Sequence, residues 1–347
     1  MRVAILYDKT EEIHSTNWCF AWEQYCNENN INYSVVNPYK IGVINSLMDF
    51  DIILWHYSNY SYKDMLMAKN ILNTLEYHNK KIFPNNNDSW HFDDKLAETY
   101  LLESIKAPIP KSFYYYSIND LKNDLKNNNI SFPIIAKLRN GSGSHNVKKI
   151  DSAKELLHYG KRMFNSGVSS APDILHKTLS NVQSSRSIKT FVKRAKRIPE
   201  FLKSLSNAKK FNIERGYVYL QEFIPNDGYD LKVVVVGDKL SFIGRQVNKG
   251  EFRASGAGNL FYTKDSVTKD IIDSAFNISD ELGFNCMGYD YVVNNNNGQG
   301  ILIEISYGFS HKALLDANGY FDRSGIWHDE GLNAPHELLK NIISHNE

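Results

Sequence analysis

Apolar and polar positions alternate between two periods along the first 85 residues. VAILY (3–7), NYSVV (32–36) and DIILWHY (51–57) are short apolar runs of strand type. Trp18, Trp22 and Tyr25 recur at helical spacing over 17–29, and DMLMAKNILNTLEY (64–77) carries an amphipathic helical period before the strand KKIFP. Strands alternating with helices predict a parallel, doubly wound α/β lobe. No glycine-rich fingerprint follows the first strand, which argues against a dinucleotide fold. Beyond residue 90 the pattern predicts a helix at DDKLAETYLLESIK, a proline-punctuated link (APIPKSF), a helix at SINDLKNDLKN and a strand at FPIIAKL, which runs into RNGSGSHNVKKI. From 216 onward strands dominate (YVYLQEFI, DLKVVVV, KLSFIGRQV), followed by a helix over 268–283, a hairpin GYDYVV…GILIEIS and a last helix PHELLKNIIS. No internal repeat is visible.

Composition changes this picture in three places. The 347 residues call for two or three lobes, and 42% hydrophobic with 23% charged residues excludes wholesale disorder. Lys plus Arg number 40 against 39 Asp plus Glu, so no global charge draws the chain to nucleic acid or membrane. The charge is uneven, however: residues 151–215 hold 14 Lys or Arg against 5 Asp or Glu and are expected to be helical. TFVKRAKRIPEFLKSL within that stretch reads as a basic amphipathic helix pair, either a solvated cover over a cleft or a module for polyanions. Cys19, Cys26 and Cys286 cannot all pair and form no CxxC, which disfavours a disulfide framework or zinc site. The opening strand is too short for a signal peptide and no run reaches the length of a membrane span, so a cytoplasmic protein is expected.

The strongest candidate chemistry lies in the hairpin near the end. Counting back from a turn near Asn297, Val293 faces Ile301 and Asp290 faces Glu304. Two opposed carboxylates repel unless a cation sits between them. By the two-residue strand period Leu302, Glu304 and Ser306 share a face, so Ser306 offers a further neutral oxygen. Hard oxygen donors of this kind suit magnesium completed by substrate phosphates; the competing reading is an exposed hairpin with solvated acids. Lys137 ends a buried-type strand and is followed by Gly141, Ser142, Gly143 and Ser144, a stretch whose amides can wrap phosphate oxygens. It lacks P-loop spacing, and Asn146 breaks a GxGxxG pattern, so taken alone the stretch reads more readily as a flexible hairpin loop. Lys232, Arg245 and Arg253 stand on otherwise apolar strands and fit anion stabilisation better than three separate surface positions. No Ser–His or Cys–His pair is evident; His145, His311 and His328 read as loop or tail contacts.

In this order the segments resemble the ATP-grasp superfamily of carboxylate–amine ligases. FPNNNDSWHFDDKLAETYLLESIKAPIPKSF is similar to that family's opening segment, FPIIAKLRNGSGSHNV to its phosphate lysine and glycine-rich loop, and YLQEFIP to its adenine hinge. YDLKVVVVGDKLSFIGRQVNKGEFRASGAGN is similar to the strands that follow, and GYDYVV…GILIEIS to its metal hairpin, over roughly residues 83–310. The resemblance implies an ATP-grasp fold of the α/β and α+β class. A Rossmann-like lobe (1–88) would precede two α+β lobes clasping ATP, a small one (89–224) with the basic insertion at about 151–215 and a large one (225–347). It further implies ATP and Mg2+, with Lys95 and Lys137 on the α- and β-phosphates and the 141–144 loop over the β- and γ-phosphates. Gln221, Glu222 and Phe223 would frame the adenine, and Asp230 and Lys232 would join the nucleotide site. Asp290, Glu304 and Ser306 would hold the metal, Arg245 would face the γ-phosphate or acyl phosphate, and Arg253 would lie near the acceptor carboxylate.

Two positions depart from the pattern: Ser306 stands where the family usually has Asn, and Lys232 where the ribosomal-protein glutamate-ligase branch has Arg. FRASGAGN, EISYGF and the tail GYFDRSGIWHDEG look closer to ATP-grasp proteins encoded with bacterial capsule and O-antigen pathways. The implied activity joins a carboxylate, such as a sugar-linked uronic acid of a surface polysaccharide, to an amine. Its alternatives are a peptide or amino-acid ligase of the same fold, and a non-catalytic nucleotide- or polyanion-binding protein. The partners expected are small molecules, with no stable nucleic acid and no membrane span; exposed aromatics leave room for a homodimer.

Overall fold

A computed structural model describes residues 1–10, 17–59, 61–141, 147–170, 213–247 and 259–344. In chain order it begins with β1 (Arg2–Leu6), α1 (Cys19–Glu28), β2 (Asn32–Val36), α2 (Val43–Leu47), β3 (Ile52–Leu54), α3 (Tyr62–Tyr77), β4 (Lys81–Phe83) and α4 (Asn86–Ser89). Next come α5 (Lys95–Ser104), β5 (Ser112–Tyr115), α6 (Ile118–Lys126), β6 (Ile134–Lys137), β7 (Lys148–Ile150), α7 (Ala153–Phe164), β8 (Val168–Ser169), β9 (Ile213–Glu214) and β10 (Val218–Glu222). The remainder is β11 (Tyr229–Val236), β12 (Lys239–Gln246), β13 (Asn259–Phe261), α8 (Lys269–Leu282), β14 (Cys286–Val293), β15 (Gly300–Ser306), α9 (His311–Leu315), β16 (Tyr320–Asp322), β17 (Trp327–His328) and α10 (Ala334–Ser344). These elements fall into two compact units, Met1–Phe92 with Ala97–Ile109 and Ile224–Glu347, and Asp93–Leu96 with Pro110–Phe223.

In the first unit β2, β1, β3 and β4 form a parallel sheet in that order, as the strand–helix alternation predicts. A second sheet, ordered β15-β14-β11-β12-β16-β17 with β13 also on β12, is antiparallel throughout. One continuous apolar core runs through this unit. Trp18 and Trp22 are buried in it, and a buried indole N–H needs a partner. Each finds one in the C-terminal part of the chain: Trp18 Nε1 donates to the Phe309 carbonyl at 3.3 Å and Trp22 Nε1 to that of Pro335 at 3.1 Å. Helix α8 turns Ile271, Ala275 and Ile278 inward at helical spacing. Its Ser274 meets Tyr291 and its Ser279 meets Tyr289, so one face of β14 is covered by the helix.

The second unit is a four-stranded antiparallel sheet, β5-β10-β6-β7, with its own core. Leu121 of α6 and Leu156 and Met163 of α7 are among its fully buried side chains. The basic stretch departs from a purely helical reading. Only α7 is helical among its described residues, and Val168–Ser169 pairs with Ile213–Glu214 as a short antiparallel ladder. Residues 171–212, including TFVKRAKRIPEFLKSL, lie outside the described residues. The three cysteines are free, buried thiols. Among the described residues no helix is long and apolar enough to cross a membrane.

Three buried titratable groups of the first unit set a pH dependence of stability. Burial, assisted by His311, pushes the His56 imidazole down to about 3. Burial, with Lys69 nearby, does the same for His91. Burial raises the Asp88 carboxyl to about 6 in spite of its hydrogen bonds from Asn285. A depressed histidine contributes stability that is complete above its unfolded pKa near 6.5 and is lost as pH falls, because only the unfolded chain takes up the proton. A raised carboxyl works the other way, its contribution fading as pH climbs through about 6. Between about pH 4 and 6 the two histidine protons oppose the carboxyl protons of Asp88 and of Asp230, which burial also raises, so each histidine adds to the stability lost on acidification and each of these carboxyls offsets it. His91 packs against the Trp90 and Phe284 rings, so His91→Phe should keep the packing and remove one proton from the balance. Urea unfolding at pH 5 and pH 8 checks this: the variant should lose less stability between the two than wild type does.

Candidate active site

The carboxylates and cations foreseen in the first unit gather on one face of its antiparallel sheet. Strand register places Lys232, Asp290 and Glu304 in a row across β11, β14 and β15, with Arg245 of β12 directly opposite Asp230 of β11. Lys232 Nζ lies 2.5 Å from Asp290 Oδ1, Arg245 Nη2 3.0 Å from Asp290 Oδ2, and Arg245 Nε 2.5 Å from Asp230 Oδ1. Asp230 and Asp290 are buried, at 6% and 7% exposure. Unpaired charges there would be strongly unfavourable, whereas two cations against two carboxylates leave this buried group neutral. Burial raises the Asp230 carboxyl. For Asp290 burial pushes the same way, but the Arg245 guanidinium and the Lys232 ammonium outweigh it and hold the carboxyl below the usual range. Gly288, two residues before Asp290, leaves room on this face: a Cβ there would lie 2.9 Å from the Ser306 carbonyl and 3.8 Å from Lys232 Nζ.

The hairpin register corrects the sequence reading in part. Asp290 does face Glu304, but Val293 pairs with Gly300 and Val292 with Ile301, one residue away from the expected match. A β-bulge between Asp290 and Tyr291 absorbs the difference, and Ile303 is the extra residue on β15. The bulge also breaks the face assignment. Leu302 and Ile305 are fully buried, whereas Glu304 and Ser306 are partly exposed, so Leu302 does not share their side. The outer edge of β15 is held by the chain before it: Leu302 N donates to the Pro108 carbonyl at 2.8 Å and Ile305 N to Glu98 Oε2 at 3.4 Å. Glu98, buried on α5, is a contributor that strand periodicity could not reveal.

The donor set fits a hard divalent cation. Asp290 Oδ1 is buried without a well-directed hydrogen bond, although Lys232 stands beside it. Ser306 Oγ accepts from Gly308 N at 3.1 Å and keeps a second lone pair. Among the described residues no three His, Cys, Asp or Glu side chains gather as a metal cage. Two carboxylates and a hydroxyl leave the remaining coordination positions to substrate and water, the usual arrangement for magnesium.

In the second unit the segment Asp93–Lys95 is tied to the start of the glycine-rich stretch. Lys95 N donates to the Arg139 carbonyl at 2.9 Å, Lys95 Nζ to the Gly141 carbonyl at 2.6 Å, and Gly141 N to Asp93 Oδ1 at 3.1 Å. Gly141 has φ of +129°, a conformation L side chains rarely adopt. Lys95 and Lys137 are both buried in this unit, and Lys137 lies opposite Tyr219 of β10. Two residues further along β10, Gln221 is buried with its amide toward Ser112 Oγ at 3.4 Å, while the Glu222 side chain is exposed and its N donates to the Lys111 carbonyl. Lys149 stacks over the Phe223 ring at 4.8 Å. Ser142, Gly143, Ser144 and His145 of the loop, and Arg253, lie outside the described residues.

No protein-family model matches the chain, and no curated protein matches it significantly. Solved structures do. A RimK domain protein ATP-grasp from Sphaerobacter thermophilus DSM 20745 aligns at 13% identity over 99% of this chain and 100% of its own, with a TM-score of 0.55. D-alanine–D-alanine ligase from Bacillus anthracis, complexed with ATP, aligns at 13% identity over 99% of this chain and 96% of its own, TM-score 0.58. The ATP-grasp ligase PsnB, complexed with minimal precursor, Mg and ADP, aligns at 10% identity over 99% and 97%, TM-score 0.52. The protein has the ATP-grasp fold.

Proposed function

We propose that the protein is an ATP- and magnesium-dependent ligase that joins a carboxylate to an amine through an acyl phosphate. The observation that carries this reading is the row Lys232–Asp290–Glu304 with Arg245 beside it, a set of oxygen donors and cations on one face of one sheet. The fold supports it, since the ATP-grasp structures it resembles include ligases bound to ATP and to Mg with ADP. In the reaction a carboxylate oxygen of the acceptor attacks the γ-phosphorus of ATP, and the β–γ bond breaks to release ADP. The amine then attacks the acyl carbon, phosphate leaves, and the nitrogen sheds its proton to solvent. Such chemistry requires placement and charge neutralisation rather than a covalent protein group.

The residues divide this work. Lys95 and Lys137 bind the α- and β-phosphates, while the Gly141, Ser142, Gly143 and Ser144 stretch covers the β- and γ-phosphates. Gln221, Glu222 and Phe223 border the adenine, largely through backbone, because the Gln221 amide is directed at Ser112. Asp290, Glu304 and Ser306 would hold magnesium, which supplies charge neutralisation on the phosphate oxygens. Arg245 steadies the transferred phosphoryl group, and Asp230 fixes the guanidinium through its 2.5 Å contact. Arg253 is assigned to the acceptor carboxylate. The similarity to capsule and O-antigen proteins makes sugar-linked uronic acids the first carboxylates to screen, and free amino acids and short peptides the next.

Thermal unfolding with ATP, with magnesium and with both tests the reading. Ligand at 100 times its dissociation constant should add about 2.7 kcal/mol to the folded state. Lys137→Ala should lose that protection, measured as the shift on adding ligand to each protein and not as its absolute stability. Protection absent from wild type would overturn the nucleotide assignment, and protection without ADP release on any carboxylate–amine pair would leave a nucleotide-binding protein.

A further inference from the structure

Arg139 stands two residues after Lys137, just beyond the end of β6, and Leu138 between them is buried. Its backbone is held at both ends. Its N–H donates to the Tyr217 hydroxyl at 2.7 Å, and its carbonyl accepts from Lys95 N at 2.9 Å. Tyr217 is itself buried and donates to Glu214 Oε2 at 3.0 Å, so the anchor is a closed hydrogen-bonded set. The side chain is held differently: it is 45% exposed, and among the described residues only Nε has a hydrogen bond, to Asn140 Oδ1 at 3.0 Å. The nearest carboxylates are Asp94, 3.7 Å from Nη1, and Glu214, 3.8 Å from Nε. Those distances orient the guanidinium without satisfying its donors. A rigidly rooted fork with most of its five N–H groups free suits a bidentate grip on phosphate oxygens.

We infer that Arg139 is a further phosphate ligand of the nucleotide site, gripping the polyphosphate of a nucleoside triphosphate alongside Lys95 and Lys137. The inference rests on the nucleotide reading above and adds a residue to it. A lysine could supply the charge at this position but not the planar fork, so Arg139 sets selectivity for the polyphosphate over the nucleoside.

Calorimetric titration of the full-length protein with a non-hydrolysable ATP analogue, ADP and adenosine tests it, in the presence of magnesium. The proteins compared are wild type, Arg139→Ala, Arg139→Lys and Lys137→Ala, each first checked for unchanged ligand-free unfolding. Arg139→Ala should weaken binding of the triphosphate about tenfold or more and leave adenosine within about twofold, with Arg139→Lys between it and wild type. Triphosphate affinity of Arg139→Ala within about twofold of wild type, beside a clear loss in Lys137→Ala, overturns the inference and leaves the nucleotide reading intact. Equal weakening of adenosine and triphosphate also overturns it, by making Arg139 a brace of the loop. Failure of wild type to bind any of the three overturns the nucleotide reading and this inference with it.

Discussion

Arg245→Met is expected to lower folding stability by about 3–5 kcal/mol, because it removes one member of a buried ion-pair set and strands the other. Arg245 contacts Asp230 and Asp290 at 2.5 and 3.0 Å; once the guanidinium is gone Lys232 still pairs directly with Asp290, but it acts on Asp230 only as the weakest of the charges around it. Asp230, whose carboxyl burial already raises, would then go further up and take a proton. The sign of the pH effect follows. A carboxyl with a raised folded pKa contributes stability at low pH and loses it as pH rises through the folded value, so the deficit of the variant should widen from acid to neutral pH. Urea unfolding of wild type and variant at several pH values measures this. Adding Asp230→Asn to Arg245→Met should recover part of the loss, since it removes the stranded charge, and the shortfall from additivity gives the coupling between the pair. A deficit below about 1 kcal/mol, the worth of an exposed pair, would mean that water reaches the cluster.

Glu304→Ala should cut ADP release by about 10²–10³-fold, the range found when one stabiliser of developing charge is removed. The magnesium-dependent part of ATP protection should disappear with it. Protection by ATP without metal should survive, because Lys95 and Lys137, the residues proposed to bind the phosphates, belong to a different set of residues. Rapid-quench ADP assays and thermal unfolding with and without magnesium separate the two effects. Loss of metal-free ATP protection in Glu304→Ala would point instead to a general disturbance of β15, whose edge depends on the Pro108 carbonyl and on Glu98.

The terminal hairpin shows how far the sequence could be read. The alternation of GYDYVV and GILIEIS marks two strands, and the asparagine run marks their turn, so the opposition of Asp290 and Glu304 follows from counting. The count carries a compensated error. Pairing is shifted by one residue at the turn, and the bulge at Ile303 restores it before the acids are reached. A bulge has no fixed sequence signature, because the extra residue is accommodated by what flanks the strand, in this case the segment around Glu98 and Pro108. Opposed acids call for a cation between them, read from the sequence as a metal; the cations that the structure places beside Asp290 are Lys232 and Arg245, which lie on β11 and β12, strands distant in sequence from the hairpin. Periodicity along one strand says which side chains share its face and nothing about which strand becomes its neighbour.

By itself the sequence determined the period of each element, the parallel character of the first sheet and the positions of the charged residues on otherwise apolar strands. It also determined that the two acids lie on neighbouring strands of one hairpin, although their direct opposition depends on the bulge at Ile303. Only the tertiary structure decided that Lys232 and Arg245 neutralise Asp290, that Asp93 and Lys95 hold the start of the glycine-rich stretch, and that Tyr217 anchors Arg139. Those are pairings between distant segments, set by how strands order within a sheet and by the need of buried polar groups for partners, and a one-dimensional pattern does not encode that choice.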